Sequence, residues 1–240
     1  MIPEQHQLIL EELKKDLLKN SSLLNFHEQN PITDLVKIGE NIILRGVSDQ
    51  NWVYISSPNE QALLEAVEQL NESDKCFAAI EDWMVPMITR QKEIKWKFPL
   101  IKVYLPDHVC LEPSKGINIK PLNDEDARHI FENSIYQEVT SESYILERIQ
   151  KGISCGITID DELVAWAITH DDSAIGMLHV MESHRQKGFA YEVVSFMISQ
   201  LRNQGKIPFA CIEETNFKSL NLVKKFGFVV DQKINWFEIL

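Results

Sequence analysis

At 240 residues the chain can hold one large domain or two small ones, and its 44% hydrophobic content supports a packed core. Acidic residues outnumber basic ones, 36 to 24, for a formal net charge of -12; this argues against nucleic acid or an anionic membrane surface as partner and tolerates a cationic one. No window approaches the roughly 18 apolar residues of a membrane span.

The opening stretch MIPEQHQLILEELKKDLLKN is amphipathic and acidic with no continuous apolar run, so it does not read as a signal peptide. Leu8, Ile9, Leu13, Leu17 and Leu18 follow helical spacing there. NIILRGV and NWVYISS read as strands joined by a turn, and residues 58–70 as a helix begun by Pro58 with Ala62, Leu63, Ala66, Val67 and Leu70 on one face. KCFAAI reads as a short strand, residues 82–96 as a helix capped by Asp82 with Pro86 in its first turn, and LIKVYL as another strand. Residues 106–122 collect three prolines, a glycine and a serine, which makes them the linker candidate. They suggest a division into residues 1–115 and 116–240.

In the second half, Asn123 is placed to cap a helix carrying Ala127, Ile130 and Phe131. ESYILERIQK follows as a helix stopped by Gly152, then SCGITID and ELVAWAITH as a hairpin turning at Asp160 and Asp161, then AIGMLHVM as a third strand. Residues 189–204 carry Ala190, Val193, Val194, Met197, Ile198 and Leu201 at helical spacing. IPFACIEE reads as a strand, residues 216–226 as a helix closed by Gly227, and FVVDQKINWFEIL as a pair of final strands. The pattern predicts an α/β (α+β) fold with helices flanking a mixed sheet. The first half has a similar rhythm of strands and helices. The four cysteines, Cys76, Cys110, Cys155 and Cys211, are widely spaced without a C-x-x-C pair. Buried free thiols in a reducing cytoplasm are therefore expected, and neither disulfides nor a metal site.

The stretch HVMESHRQKGFAYEVV holds R-x-x-G-x-A, formed by Arg185, Gly188 and Ala190, at the start of the residue 189–204 helix. A strand, a glycine-bearing loop and a helix start present several unpaired backbone N–H groups to one point, and the helix dipole adds positive charge there. Gly188 allows close backbone approach, while Arg185 and Lys187 add cationic charge in an acidic chain. A phosphate-bearing ligand suits such a site, as does an ordinary solvated turn.

This stretch resembles motif A of the GNAT superfamily of N-acetyltransferases, Gln/Arg-x-x-Gly-x-Gly/Ala between a strand and a helix. ETNFKSLNLVKKFGF is similar to the family's second motif, an Asn beginning a helix that ends in G-F. A narrower likeness joins residues 154–190 and the ending INWFEIL to the bacterial glycine N-acyltransferase-like branch, in which a degenerate GNAT-like half precedes the working domain. The resemblance implies a mostly antiparallel sheet flanked by helices, and acetyl-CoA or another acyl-CoA as cosubstrate.

It further implies that the backbone of Leu178, His179 and Val180 holds the pantetheine amides and the acyl carbonyl. An N–H near Leu178 would stabilise the oxyanion. The loop of Arg185, Gln186, Lys187, Gly188, Phe189 and Ala190 would hold the pyrophosphate, and Asn216, Ser219 and Lys225 would lie toward the cofactor. Asn216 is equally suited to capping its helix.

The acceptor amine must lose a proton before attack. Asp172 stands where the family often places a carboxylate base, with Asp171 as its substitute, although both also suit a hairpin turn. His179 is the other candidate, since its intrinsic pKa suits proton transfer, and Glu182 and Glu213 are lesser ones. Many GNAT enzymes place a proton-donating tyrosine four residues before the G-F glycine; here that position is Val223, leaving Tyr191, Ser219, water or an unassisted thiolate. The activity implied is transfer of an acyl group to the amine of a small molecule or amino acid. A non-catalytic acyl-CoA-binding module and a protein or peptide N-acetyltransferase are the rival readings.

Overall fold

The computed structural model describes residues 4–90, 92–114 and 116–240. Lys115, the point of the expected division, and Gln91, inside the expected 82–96 helix, lie outside that set. Nine elements come first in the chain: α1 (Glu4–Leu13), α2 (Ser21–Gln29), β1 (Ile32–Ile38), β2 (Asn41–Val47), β3 (Asn51–Ser56), α3 (Glu60–Val67), β4 (Cys76–Glu81), α4 (Val85–Ile88) and β5 (Ile94–Tyr104). The rest are β6 (Ile119–Lys120), α5 (Asp126–Glu132), α6 (Glu142–Lys151), β7 (Ser154–Ile159), β8 (Glu162–Thr169), β9 (Ile175–Val180), α7 (Phe189–Asn203), β10 (Phe209–Glu213), α8 (Phe217–Lys225) and β11 (Val229–Ile239). The order from α1 to β5, two helices, three strands, then helix, strand, helix, strand, recurs from α5 to β11.

The chain packs as two units. One holds the described residues up to Val103 together with Ile212–Leu220 and Val230–Leu240; the other holds Tyr104–Cys211 and Asn221–Val229. One sheet runs β1-β2-β3-β4-β11-β5, with β10 the last strand of the row, and a four-stranded sheet runs β6-β7-β8-β9. The printed pairings are antiparallel throughout, except that β3 and β4 run parallel.

In the first unit, strand alternation sorts side chains onto two cores. Ile42, Leu44, Trp52 and Tyr54 pack with Ile9, Leu13, Leu23 and Phe26, while Ile43, Val53 and Ile55 pack with Leu63, Ala66, Met84 and Ile88. Because both faces are covered, β2 is buried through NIIL rather than alternating. The last strand serves these cores too: Phe237, fully buried, stacks on Phe77 with centroids 5.0 Å apart, and Trp236 lies 5.5 Å from Trp52. In the second unit, α5 and α6 pack Ala127, Ile130, Ile145 and Ile149 against Trp166 and Ile168. Helix α7 contributes buried Val193, Val194, Met197, Ile198 and Leu201 and packs on β6 through β9. Asp160 and Asp161 turn the β7–β8 hairpin with φ of 50° and 65°.

Several expectations are corrected. The helix expected over 82–96 is a 3-10 turn at Asp82–Met84 followed by the four-residue α4; from Ile94 the alternation of Ile94, Trp96 and Phe98 with Lys95 and Lys97 makes β5 instead. The two final strands are the single strand β11. Helix α2 and strand β1 are additional to the expected elements. Asn123 does not cap α5 with its side chain; its backbone N–H donates to the Asp126 carboxylate at 2.7 Å. All four cysteines are free, but Cys110 is exposed and Cys211 half-buried, so burial holds for Cys76 and Cys155 only. Burial pushes the Cys155 thiol up to about 12. No helix among the described residues is long and apolar enough to cross a membrane.

Phe237→Ala empties a site between two sheet-and-helix layers. It should destabilise the protein by about 3–5 kcal/mol in urea unfolding, whereas an unchanged midpoint would contradict the packing of β11 against β4.

Candidate functional site

Strand β9 is the edge of its sheet, paired with β8 alone. In that ladder Trp166 faces His179 and Ile168 faces Gly176. One residue of β8, Ala167, therefore stands opposite two of β9, Met177 and Leu178, which is a β-bulge. Met177 takes φ of 47°, a conformation costly for a residue with a Cβ. The bulge takes these peptide groups out of the regular ladder at the position expected to hold an acyl carbonyl.

The bulge also settles where His179 points. Its ring stacks on Trp166, with centroids 4.6 Å apart and planes at 14°, and the His129 ring meets the same indole at 5.5 Å. These rings share the sheet face that packs against α5 and α6. Burial lowers the His179 pKa from its ordinary value, and the charges of Arg185 and His129 lower it further. A half-buried imidazole with a lowered pKa is neutral at neutral pH and able to accept a proton.

Asp171 and Asp172 lie at the other end of β9, in the hairpin from β8. Both are buried, Asp172 completely, and Asp172 Oδ1 accepts the Ala174 N–H at 3.0 Å across the turn. Ser173 has φ of 65° and its hydroxyl accepts from Lys206 Nζ at 3.1 Å. The arrangement is a closed turn with a buried carboxylate in it.

After β9 the chain makes a 3-10 turn at Glu182–His184 and enters α7. Arg185 Nε donates to the Val180 carbonyl at 3.1 Å, tying the loop to the strand's end. Gln186 and Gly188 have φ of 63° and 88°. Such left-handed reversals turn consecutive N–H groups toward one concavity. Phe189 and Ala190, the first two residues of α7, have no intrahelical acceptor by helix geometry. A Cβ placed on Gly188 would meet no atom within 4 Å, so glycine is required there by its backbone angle and not by crowding from protein. Arg185, Gln186, Lys187 and Gly188 are exposed. Glu192, one turn into the helix, faces away from this concavity's cationic rim: its carboxylate accepts the Ser114 N–H at 2.7 Å and its hydroxyl at 2.6 Å.

Leu178, His179, Val180 and the 185–190 loop are thus brought together in the second unit, as is Lys225, exposed in the last turn of α8. Asn216 and Ser219 belong to the first unit. Asn216 Oδ1 accepts the Ser219 N–H at 3.1 Å, so the asparagine caps α8 as its residue type favours. Val223 is buried, and its carbonyl accepts the Phe228 N–H at 3.1 Å. Tyr191 packs its ring edge-on against Phe226 at 5.7 Å. The features missed from sequence are the Met177 bulge and the Trp166–His129 pair that frames His179. Only the strand alternation placing His179 beside Met177 hinted at them.

A family model described as "FR47-like protein" matches residues 152–237. Among solved structures, a Drosophila protein is 19% identical, with 96% of each chain covered and a TM-score of 0.75. A GCN5-related N-acetyltransferase-like protein from Streptococcus suis is 14% identical over 96% of this chain and 99% of that one, with a TM-score of 0.55. A tandem GNAT protein from the clavulanic acid biosynthesis pathway is 13% identical over 92% and 87%, at 0.51. No curated protein matches the sequence. The chain has the fold of GNAT acetyltransferases.

Gly188→Trp should abolish CoA binding in calorimetry while the far-UV spectrum stays unchanged, because the side chain enters open space. Retained affinity would remove the 185–190 loop from the site.

Proposed function

We propose that the protein is an acyl-CoA-dependent N-acyltransferase, using acetyl-CoA and transferring its acyl group to the amine of a small molecule or amino acid. The observation that carries this reading is the continuity of a bulged, one-sided strand with a helix start opened by left-handed Gly188. Amide groups of an extended arm match the free edge of Leu178, His179 and Val180. Phosphates match the N–H groups and cations of residues 185–190. Asn216, Ser219 and Lys225 are further contacts in this reading. The recurrence of element order supports residues 1–115 as a degenerate copy preceding the working domain at 116–240. The likeness to the glycine N-acyltransferase-like branch favours an amino acid acceptor, and free thiols suit a cytoplasmic location.

In the reaction the acceptor nitrogen forms a bond to the thioester carbon, the carbon–sulfur bond breaks, and the ammonium proton passes to a base. His179 is the best-placed base, because it sits beside the bulge, is half exposed and is held neutral. Asp172 and Asp171 are the alternatives, and their burial in the hairpin turn stands against them. Val223 favours one second reading, a module that binds acyl-CoA without turnover.

Purified protein should release free thiol from acetyl-CoA when given small amines. Binding without release across a broad amine panel would establish the binding module, and acetylation of peptides alone would establish a protein-directed enzyme. His179→Gln should lower kcat on the order of 10²–10⁴-fold with CoA affinity kept. The same loss in Asp172→Asn, with His179→Gln active, would transfer the role to Asp172.

The rate should rise with pH through the lowered pKa of His179 and level off near neutrality. His129→Asn removes a positive neighbour, raises that pKa and moves the acid limb to higher pH. A limb unmoved by this change would exclude His179 as the titrating base.

A further inference from the structure

In the first unit, β3 and β4 run parallel, yet they pair only at Trp52↔Cys76 and Val53↔Phe77. Beyond those pairs the strands fork. Residues 54–56 and 78–81 line a partly open cleft of about 310 Å³, at the small end of the ~300–1,000 Å³ typical of ligand sites. The outer edge of β3 is taken by β2 and that of β4 by β11, so the forked edges have no ladder partner. Tyr54 and Ala78 are nevertheless buried, and buried peptide groups need partners.

Three further observations converge on this cleft. Ala79 lines it with φ of 53°, where β4 bulges: Ala78 and Ala79 stand opposite the single residue Trp236 of β11. A non-glycine residue held there is backbone strain of the kind kept at ligand sites. Ser22 lines the same cleft, is 3% exposed, and its hydroxyl has no hydrogen-bond partner. At the cleft Lys19 Nζ lies 3.3 Å from a Glu81 carboxylate oxygen and donates to the Ser57 carbonyl at 2.7 Å.

We infer that this fork is a second ligand site, for an extended amide-bearing chain that ends in a carboxylate, such as an N-acylated amino acid or a short peptide. The amide of such a ligand supplies the donor and acceptor that the forked edges lack, as in strand addition. Its carboxylate meets Lys19, its amide accepts from the Ser22 hydroxyl, and its apolar end rests on Leu23 and Ala78. CoA does not fit the requirement. The following helix starts with Pro58, which has no N–H, and Asn59, whose own side chain takes the Ala62 N–H at 3.0 Å. Glu60 then sets a negative charge in the first turn, where a phosphate would be repelled. The site is independent of acyl transfer in the second unit.

The test is calorimetric titration of the full chain with N-acetylglycine and with glycylglycine. Saturable binding of either is expected, kept in Gly188→Trp and not competed by CoA. It should weaken about tenfold or more in Lys19→Met and in Ser22→Leu, a loss of at least ~1.4 kcal/mol. Preference for glycylglycine that disappears in Glu81→Gln would identify a peptide ammonium as part of the ligand; preference for N-acetylglycine would identify the acylated amino acid. The inference is overturned by absence of saturable binding, by competition with CoA, or by equal affinity in wild type and Lys19→Met. Lys19 is partly exposed, so its variant serves where Ser22→Leu does not fold.

Discussion

The peptide groups of β9 have a ladder partner on one side only, and a soluble protein seldom leaves a strand edge bare without a device to protect it. Charged side chains, prolines or covering loops are the usual devices, but IGMLHV offers none of the charged or proline kind. The bulge at Met177 does something different: it twists the edge and re-aims the strand, at the cost of a left-handed residue with a Cβ. A few residues later the chain delivers the start of α7, where N–H groups have no intrahelical acceptors. One stretch of chain therefore carries two unmet hydrogen-bonding demands, a row of amides and an anion-seeking helix start. A ligand with both amides and phosphates meets them together, and neither demand alone would specify it.

Repetition of the element order makes the first unit an internal control for this argument. There too a strand leads through a short loop into a helix that crosses over to a parallel neighbour, β3 to α3 to β4. The local chemistry differs at the helix start. Asn59 fills the α3 cap with its own side-chain oxygen, whereas Gly188 leaves the start of α7 open. Self-capping satisfies the donors that would otherwise call for an anion. The fold thus recurs while the phosphate-binding feature does not, which is how function comes to reside in one copy of a repeated architecture.

What was legible in sequence follows from range. The stripe of α7 is a local period with one face buried, and it reads correctly over its whole length. The alternation in β2 and β3 reads equally well because their apolar runs are bounded by turn residues. In β1, Thr33, Asp34 and Lys37 dilute the apolar pattern, since that strand lies at a sheet edge. In β11, Asp231 to Lys233 read as a turn, but the strand runs through them because its neighbours on both sides hold it extended. The Asn123 cap failed for a subtler reason: the Asp126 carboxylate took the backbone N–H of Asn123, moving the helix start along the chain. The Met177 bulge had no local signal at all, because register between strands is a property of two segments. The phosphate loop was legible, and the framing of His179 by Trp166 and His129 was not.

The replacement of a proton donor by Val223 concentrates the chemistry on a single titrating group. Val223 sits in the closing turn of α8, backed by Phe226 and Phe228, and its burial makes it a packing residue. A departing thiolate tolerates the lack of a donor, since a thiol with a pKa near ~8.5 leaves as the anion at modest cost near neutrality. The incoming amine is the harder problem, because it arrives as ammonium and must give up a proton before it can attack. A base that is already neutral meets that need, and stacking against Trp166 keeps His179 in that state by withdrawing it from water. The same indole that buries the imidazole also fixes its plane, so position and protonation state are set by one contact.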